Sequence, residues 1–358
     1  MSAALVAATR RLGPDAVAVS AIGFGCMPLS LGRRPSEAVA LNVLHAALDA
    51  GVTLLDTADA YCLDERYELG HNERLVAKAL RTWGGPSSEV VVATKAGMRR
   101  LGGSFEPDGR PEHLRQACDR SLRALGVDQI GLYQLHTPDP RVPFTESVGA
   151  LERLREAGKI RWVGLSNVDI DQITAARAIV PVASVQNELS PFKRDELANG
   201  VVAHCAGAGL GFLAYSPVGG GLNTRLREHP VLREIAAERG VSVYAVVLAW
   251  LVAQAPNIIP IPAARSVEHA LDSVRAADLA LSAAEVEAID RATFALPLRR
   301  VLRTHLANQP WLKAAFRWAR GTLPEERRFG ERRYASSTLV TERRSGRDRR
   351  AVVRGKLG

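Results

Sequence analysis

The sequence predicts an α/β protein: a closed (β/α)8 barrel of parallel strands, followed by a basic C-terminal extension that is expected to be disordered. Three observations carry that prediction. Eight short, β-branched runs recur through residues 1–290, separated by stretches with apolar residues near i, i+3 and i+4. The runs are too apolar to face water on either side, as strands sandwiched between a barrel interior and outer helices must be. No Gly-x-Gly-x-x-Gly turn follows the first run, which favours the barrel over its competitor, a doubly wound open sheet.

The elements can be taken in order. AIGFGC (21–26) leads into a helical stretch at 38–50, and Gly51 stands where a helix C-cap is expected. VTLLDT (52–57) and VVVATK (90–95) follow, the latter ahead of a helix over 114–125 that Gly126 ends. IGLYQLH (130–136) precedes a helix over 148–156 with Gly158 beyond it. IRWVGLS (160–166), ASVQN (183–187) and GFLAYS (211–216) come next, then a helix over 232–239 stopped by Gly240. NIIPIP (257–262) is the eighth strand.

Length and composition agree with such a barrel. The chain has 358 residues, 47% hydrophobic and 24% charged, which excludes a wholly disordered, collagen-like or disulfide-stapled protein. The four cysteines, Cys26, Cys62, Cys118 and Cys205, are far apart with no Cys-x-x-Cys pair, so no metal or disulfide framework is expected and a reducing compartment fits. No uncharged apolar run reaches the ~18–20 residues of a spanning helix, and the N-terminus lacks a secretory core. A cytoplasmic protein without a transmembrane segment is expected. Nothing in the sequence fixes the oligomeric state, and a monomer would suffice.

Charge divides the chain. Residues 291–358 carry 18 basic and 5 acidic side chains, a net +13, whereas residues 1–290 carry 29 and 33, a net −4. The expected organisation is therefore a barrel over 1–294, a basic amphipathic segment over 295–324 and an Arg-rich tail over 325–358. The middle segment mixes Leu298, Val301, Leu302, Leu306, Trp311, Leu312, Phe316 and Trp318 with basic residues. It reads as a lid or barrel packing, with a helix lying on anionic lipid as the alternative. The tail repeats ERRFG, ERRYA and ERRSG and has little to bury. It reads as a solvated basic tail, with binding to nucleic acid or another anionic surface through arginines and interleaved aromatics as the alternative.

Chemistry in such a barrel gathers at the C-terminal ends of the strands. There the sequence places Asp56, Lys95, His136, Ser166 and Asn167, Gln186, and Tyr215 and Ser216, with Tyr61 five residues beyond Asp56. One carboxylate, one ammonium, one imidazole and one phenol can thus meet at one mouth. Taken singly, each has a bland alternative: a turn-capping Asp, a solvated Lys or Tyr, a buried neutral imidazole.

Seven strings occur in order at the strand ends: LLDTADAY, TK at 94–95, QLHTPD, VGLSN, QNELSPF, AYSPVGGGL and IPIPAARSVEH. Together they closely resemble the aldo-keto reductases over roughly residues 16–293. The resemblance implies hydride transfer between a nicotinamide cofactor, usually NADP(H), and a small carbonyl or alcohol substrate: an aldehyde, a ketone or a sugar. It implies a catalytic set of Asp56, Tyr61, Lys95 and His136, with Tyr61 as general acid and base, Lys95 lowering the phenol's pKa, Asp56 holding Lys95, and His136 orienting the carbonyl. It also implies Ser166, Asn167 and Gln186 on the carboxamide and Tyr215 stacked on the nicotinamide. The backbone from Ser216 to Gly221, with Gly219 and Gly221, would lie near the pyrophosphate, and Arg265 and Ser266 near the adenosine 2′-phosphate. No metal ligand is implied.

The sequence departs from the family pattern at Ala263, where Gly is usual, and at Ser273, where an adenine-contacting Asn is usual. NAD use therefore stays open. Cys62 follows Tyr61 in place of a common Gly, and the stretch 63–73 is longer than usual. A second function stays open beside the reductase: a redox-sensing subunit that binds NADP(H) with little turnover. So does an enzyme tethered to acidic partners by its tail.

Overall fold

The protein's structure, a computed structural model, describes residues 8–295. Eight parallel strands run in barrel order: β1 (Phe24–Gly25), β2 (Leu54–Asp56), β3 (Val91–Ala96), β4 (Ile130–Leu135), β5 (Ile160–Ser166), β6 (Val182–Glu188), β7 (Gly211–Tyr215) and β8 (Ile258–Pro260). The sheet closes on itself, because Gly23 N donates to Pro260 O at 2.9 Å and Gly25 N to Pro262 O at 2.8 Å. Glycine makes that seam: a Cβ on Gly25 would stand 2.9 Å from Ile261 O. All eight expected strands are present, most of them trimmed at their ends, β5 as expected, β3 shifted by one residue and β6 extended by one at each end, and the barrel rather than the open sheet is the fold.

Eight helices cover the barrel: α1 (Glu37–Asp49), α2 (His71–Thr82), α3 (Pro111–Leu125), α4 (Phe144–Glu156), α5 (Ile170–Arg177), α6 (Val201–Gly207), α7 (Val243–Gln254) and α8 (Val267–Arg275). Further helices at Pro230–Arg239 and Ala283–Arg291 pack beside α7. Local chemistry sets their ends. Ser36, Ser242 and Ser266 accept N-cap hydrogen bonds, Asp169 forms a capping box with Gln172, and Gly126 and Gly240 close α3 and Pro230–Arg239 in the left-handed region.

The period-2 alternation of each strand sorts side chains into two cores. Outward residues such as Tyr133, Leu135, Val185, Phe212 and Ile258 pack under the helices. Inward residues Leu54, Ala93, Leu132, Leu213 and Ile259 fill the barrel. A hairpin of Thr9–Arg11 and Ala18–Ser20, not expected from the sequence, adds Leu12, Ala16 and Val19 to that interior core. Leu12 O accepts from Gly211 N at 2.9 Å, and a Cβ on Gly211 would lie 2.4 Å from that oxygen. The hairpin thus plugs the end of the barrel where β7 begins. A second unexpected hairpin, Met98–Leu101 with Ser104–Pro107, rises from the other end directly after β3.

All four cysteines are buried and unpaired. Among the described residues no single helix is long and apolar enough to cross a membrane. The lid and tail expected over 295–358 lie, Ala295 apart, outside the described residues.

Candidate active site

The inward alternation that fills the barrel with apolar side chains continues to the C-terminal strand ends, where polar ones take over. Asp56 pairs in register with Gly25 and Ala93, Lys95 with Gln134, and Gln134 with Gly164. Lys95 follows Ala93 by two residues and His136 follows Gln134 and Leu132 by two and four, so all face inward. Thr94, between Ala93 and Lys95, faces α2.

Lys95 is fully buried, which an ammonium tolerates only with several acceptors. It has three: Asp56 Oδ1 at 2.6 Å, Thr57 O at 2.8 Å and Tyr61 Oη at 3.2 Å. Burial pulls the Lys95 pKa down, but Asp56 and Tyr61 outweigh burial and hold it above its ordinary value. The other Asp56 oxygen accepts from Gln186 Nε2 at 2.7 Å and Gln134 Nε2 at 3.3 Å. Space for Gln134 exists because residue 164 is glycine, whose Cβ would meet Gln134 Cγ at 2.7 Å.

The turn at 57–61 brings the Tyr61 ring back over the barrel, with Tyr61 N donating to Ala58 O at 3.2 Å. Its edge meets His136, ring centroids 5.6 Å apart at 81°. Burial raises the Tyr61 pKa above the ordinary phenol value, and the opposing pull of Lys95 does not cancel it. Lys95 lowers it, as expected, but in a site this dry desolvation of the phenolate exceeds the attraction of one ammonium already shared with Asp56. His136 is driven well below the ordinary imidazole pKa by burial and then by Lys95, so it is neutral at physiological pH. Its Nδ1 is buried without a partner among the described residues.

These groups open into a cavity of about 670 Å³ whose wall includes Asp56, Tyr61, His136, Ser166, Asn167, Gln186, Tyr215, Ser216, Gly221 and Arg265. Met27, Met98 and Phe105 contribute apolar lining to the same cavity. The 98–107 hairpin is held there by Glu65, which accepts from Arg99 Nη2 at 2.6 Å and Arg100 N at 2.7 Å, while the Arg100 guanidinium lies 4.0 Å over the Phe105 ring. Glu65 belongs to the stretch flagged as unusually long. Cys62 in the same loop is buried and its thiol is pushed up to about 12, so it carries no thiolate reactivity. A larger groove, about 1000 Å³, lies where β2–β5 begin, between Thr9, Val91, Val127 and Trp162, and it gathers no buried carboxylate, ammonium or imidazole.

The nucleotide-side residues divide. Ser166 Oγ accepts from Asn167 Nδ2 at 3.1 Å and keeps its own proton, while Gln186 Oε1 has no donor among the described hydrogen bonds. One donor and one acceptor are therefore left facing the cavity, the complement of a carboxamide. The Asn167 side chain donates from Nδ2 to His136 O at 2.9 Å and accepts at Oδ1 from the Tyr215 hydroxyl at 2.8 Å, which ties it to two other residues of the cavity wall. Asn167 and Ser216 are the two described non-glycine residues in the left-handed backbone region, both on the cavity wall. Such strain is tolerated where a site requires it. Gly219 and Ser266 do not reach the wall. Gly219, at φ +77°, abuts Phe192, and Ser266 Oγ caps α8. Ala263 lines the cavity, and Ser273 back-bonds to His269 O at 2.9 Å on α8.

Sequence reasoning passed over Gln134, Thr57, Met98 and Phe105. Gln134 had a signal: an amide two residues before His136 on the inward face of an otherwise apolar strand. Met98 and Phe105 had none, because a hairpin inserted after a strand leaves no periodic mark.

Comparison with known proteins agrees with this geometry. A sequence model described as the aldo/keto reductase family matches residues 21–293. A probable aldo-keto reductase 1 from Glycine max is 31% identical over 309 residues, spanning 78% of this chain and 87% of the relative. Among solved structures, an aldo/keto reductase from Klebsiella pneumoniae in complex with NADP and acetate superposes with a TM-score of 0.67 at 30% identity, over 80% of this chain and 95% of that one. The glycerol dehydrogenase of Gluconobacter oxydans superposes with a TM-score of 0.69 at 27% identity, over 79% of this chain and 94% of that one.

Proposed function

The chain belongs to the aldo-keto reductase family of oxidoreductases, and from that premise we propose that it reduces aldehydes or ketones with NADPH, with Tyr61 as the general acid. The observation that supports the reading is the buried Lys95 ammonium, 2.6 Å from Asp56 and 3.2 Å from the Tyr61 hydroxyl, both of which line a cavity that also holds neutral His136. The cofactor is NADP(H). Ser166 Oγ and Gln186 Oε1 would hold the carboxamide, the Tyr215 ring would lie against the nicotinamide, and Arg265, whose Nε donates to Pro28 O at 3.3 Å, would meet the 2′-phosphate. When bound, the reduced nicotinamide supplies the hydride that makes the new C–H bond.

The chain's own residues supply the rest. The imidazole of His136 donates to the carbonyl oxygen and fixes its direction. As negative charge grows on that oxygen, the Tyr61 O–H bond breaks and its proton completes the alcohol. The phenolate left behind is stabilised by Lys95 and reprotonated from solvent. Because burial keeps the phenol protonated through neutral pH, the resting site is set for the reductive direction. Met27, Met98 and Phe105 exclude water beside the reacting carbon and favour substrates with an apolar body.

The test is titration of the purified full chain with NADPH and with NADH by tryptophan quenching, followed by a panel of aldehydes and ketones. The reading predicts saturable NADPH binding and substrate-dependent loss of absorbance at the reduced nicotinamide band. NADPH binding without turnover across the panel would favour a sensor, and no binding of either nucleotide would defeat the proposal.

A further inference from the structure

The geometry points to Asn72 and Glu73, adjacent in the first turn of α2, as positioning residues that hold the Lys95 ammonium against Tyr61. The inference rests on the roles given to Lys95 and Tyr61 above.

Both side chains are fully buried, and a buried amide and carboxyl are costly unless hydrogen-bonded. Polar residues in a first helical turn ordinarily serve their own helix end. These reach away from it. α2 has no side-chain N-cap bond: it starts at Gly70, in the left-handed region at φ +75°, whose N donates to Asp59 O at 2.9 Å. Asn72 Oδ1 accepts from Thr57 Oγ1 at 2.6 Å, and the main-chain oxygen of that same Thr57 accepts from Lys95 Nζ at 2.8 Å. Asn72 Nδ2 donates to Cys26 O at 2.8 Å and Ser30 Oγ at 2.7 Å, fastening the turn after β1. Glu73 Oε1 accepts from Thr94 Oγ1 at 2.6 Å, and Thr94 directly precedes Lys95.

One helix start therefore grips the segments after β1 and β2 and the end of β3. Both ends of the Lys95–Thr57 contact are tied to it. With Thr57 O fixed, Lys95 Nζ cannot retreat from the phenol. With it loose, the ammonium leans toward Asp56, its contact with Tyr61 lengthens, and the phenolate loses stabilisation. The ionisable groups around the Tyr61 phenol are Asp56 at the end of β2, Lys95 on β3, His136 after β4, Tyr215 on β7 and Cys26 after β1. Glu73 itself faces Asp59, Arg74 and Arg120.

The test follows the Tyr61 phenol directly, by 13C NMR titration of the tyrosine-labelled, cofactor-free full chain, with Tyr61→Phe assigning the signal. Asn72→Ala is expected to move the Tyr61 titration upward by about one pH unit. It is also expected to lower kcat for NADPH-dependent reduction roughly tenfold, with the KM for NADPH little changed. Thr57→Val, nearly isosteric, removes the hydrogen bond to Asn72 while sparing the helix, and should give the same shift even where Asn72→Ala fails to fold. Glu73→Gln, which keeps an oxygen for Thr94, should lie nearer the wild type than Glu73→Ala. A lower unfolding midpoint in Asn72→Ala or Thr57→Val with an unmoved Tyr61 titration would reduce the pair to a structural role and overturn the inference. The titration needs no substrate, so a wild-type chain without turnover would defeat the catalytic reading while leaving this result to stand or fall separately.

Discussion

Between β2 and β4 the barrel mouth is wired side chain to side chain, Lys95, Asp56, Gln134 and Tyr61 sharing buried hydrogen bonds. Between β5 and β8 it is built from backbone bends at Asn167 and Ser216 and from groups such as Ser166 Oγ and Gln186 Oε1 that keep bonding capacity in reserve. The difference follows from what each side must do. A side that moves a proton needs its charges fixed before substrate arrives, because reorganisation during the reaction is costly. A side that receives a ligand needs unpaired donors and acceptors that the ligand completes. Substitutions on the first side should therefore damage stability and chemistry together, and those on the second should damage affinity.

The largest effect is expected from Lys95→Met. It leaves the Asp56 carboxylate buried without its ion partner, which typically costs about 3–5 kcal/mol of folding stability, read as a lower denaturant midpoint alongside loss of turnover. An unchanged midpoint would erase the distinction between the two sides. Next comes pH. With the Tyr61 pKa raised by burial, reduction should persist through neutral pH and fall only above the ordinary phenol range near ~10, whereas alcohol oxidation, which needs the phenolate, should rise with pH. His136 has a depressed pKa, so its contribution to stability is complete above ~6.5 and is lost as pH falls below it, because the unfolded chain then binds a proton that the folded site refuses. A pH–rate profile with a histidine step near ~6.5 would contradict a neutral His136.

On the nucleotide side, Gly219→Ala forces a side chain into the left-handed region and puts its Cβ 2.6 Å from the Phe192 ring. A cost of about 1–3 kcal/mol is expected, together with weaker NADPH binding as the 216–222 loop shifts. The smallest effect is Arg265→Ala, expected to weaken NADPH binding about tenfold, consistent with the ~1.5–3 kcal/mol of a hydrogen bond to a charged group, while leaving NADH nearly unaffected. Equal losses for both nucleotides would move the 2′-phosphate away from Arg265.

How much of this was legible in the sequence follows the same division. Apolar runs of fixed character announced all eight strands, and the residue types at their ends announced Asp56, Lys95 and His136, because alternation alone decides which way a strand-end side chain faces. The two hairpins escaped notice. The Thr9–Ser20 ribbon is too short to show periodicity, and it is held by the barrel opening it fills. The sign of the Tyr61 shift escaped as well, since it depends on how dry the site is and a sequence carries no measure of dryness. The surroundings of Gly219 beside Phe192 and the capping of α8 by Ser266 Oγ left no mark in the sequence either, because both depend on neighbours brought together only by the fold.

The central claim is that the Tyr61 hydroxyl delivers the proton of carbonyl reduction, and single-turnover oxidation of bound NADPH in Tyr61→Phe tests it most directly. The account predicts NADPH binding close to wild type and a hydride-transfer rate lowered by roughly 10²–10⁴-fold with an aldehyde that the wild type reduces. A rate within a few-fold of wild type would contradict it.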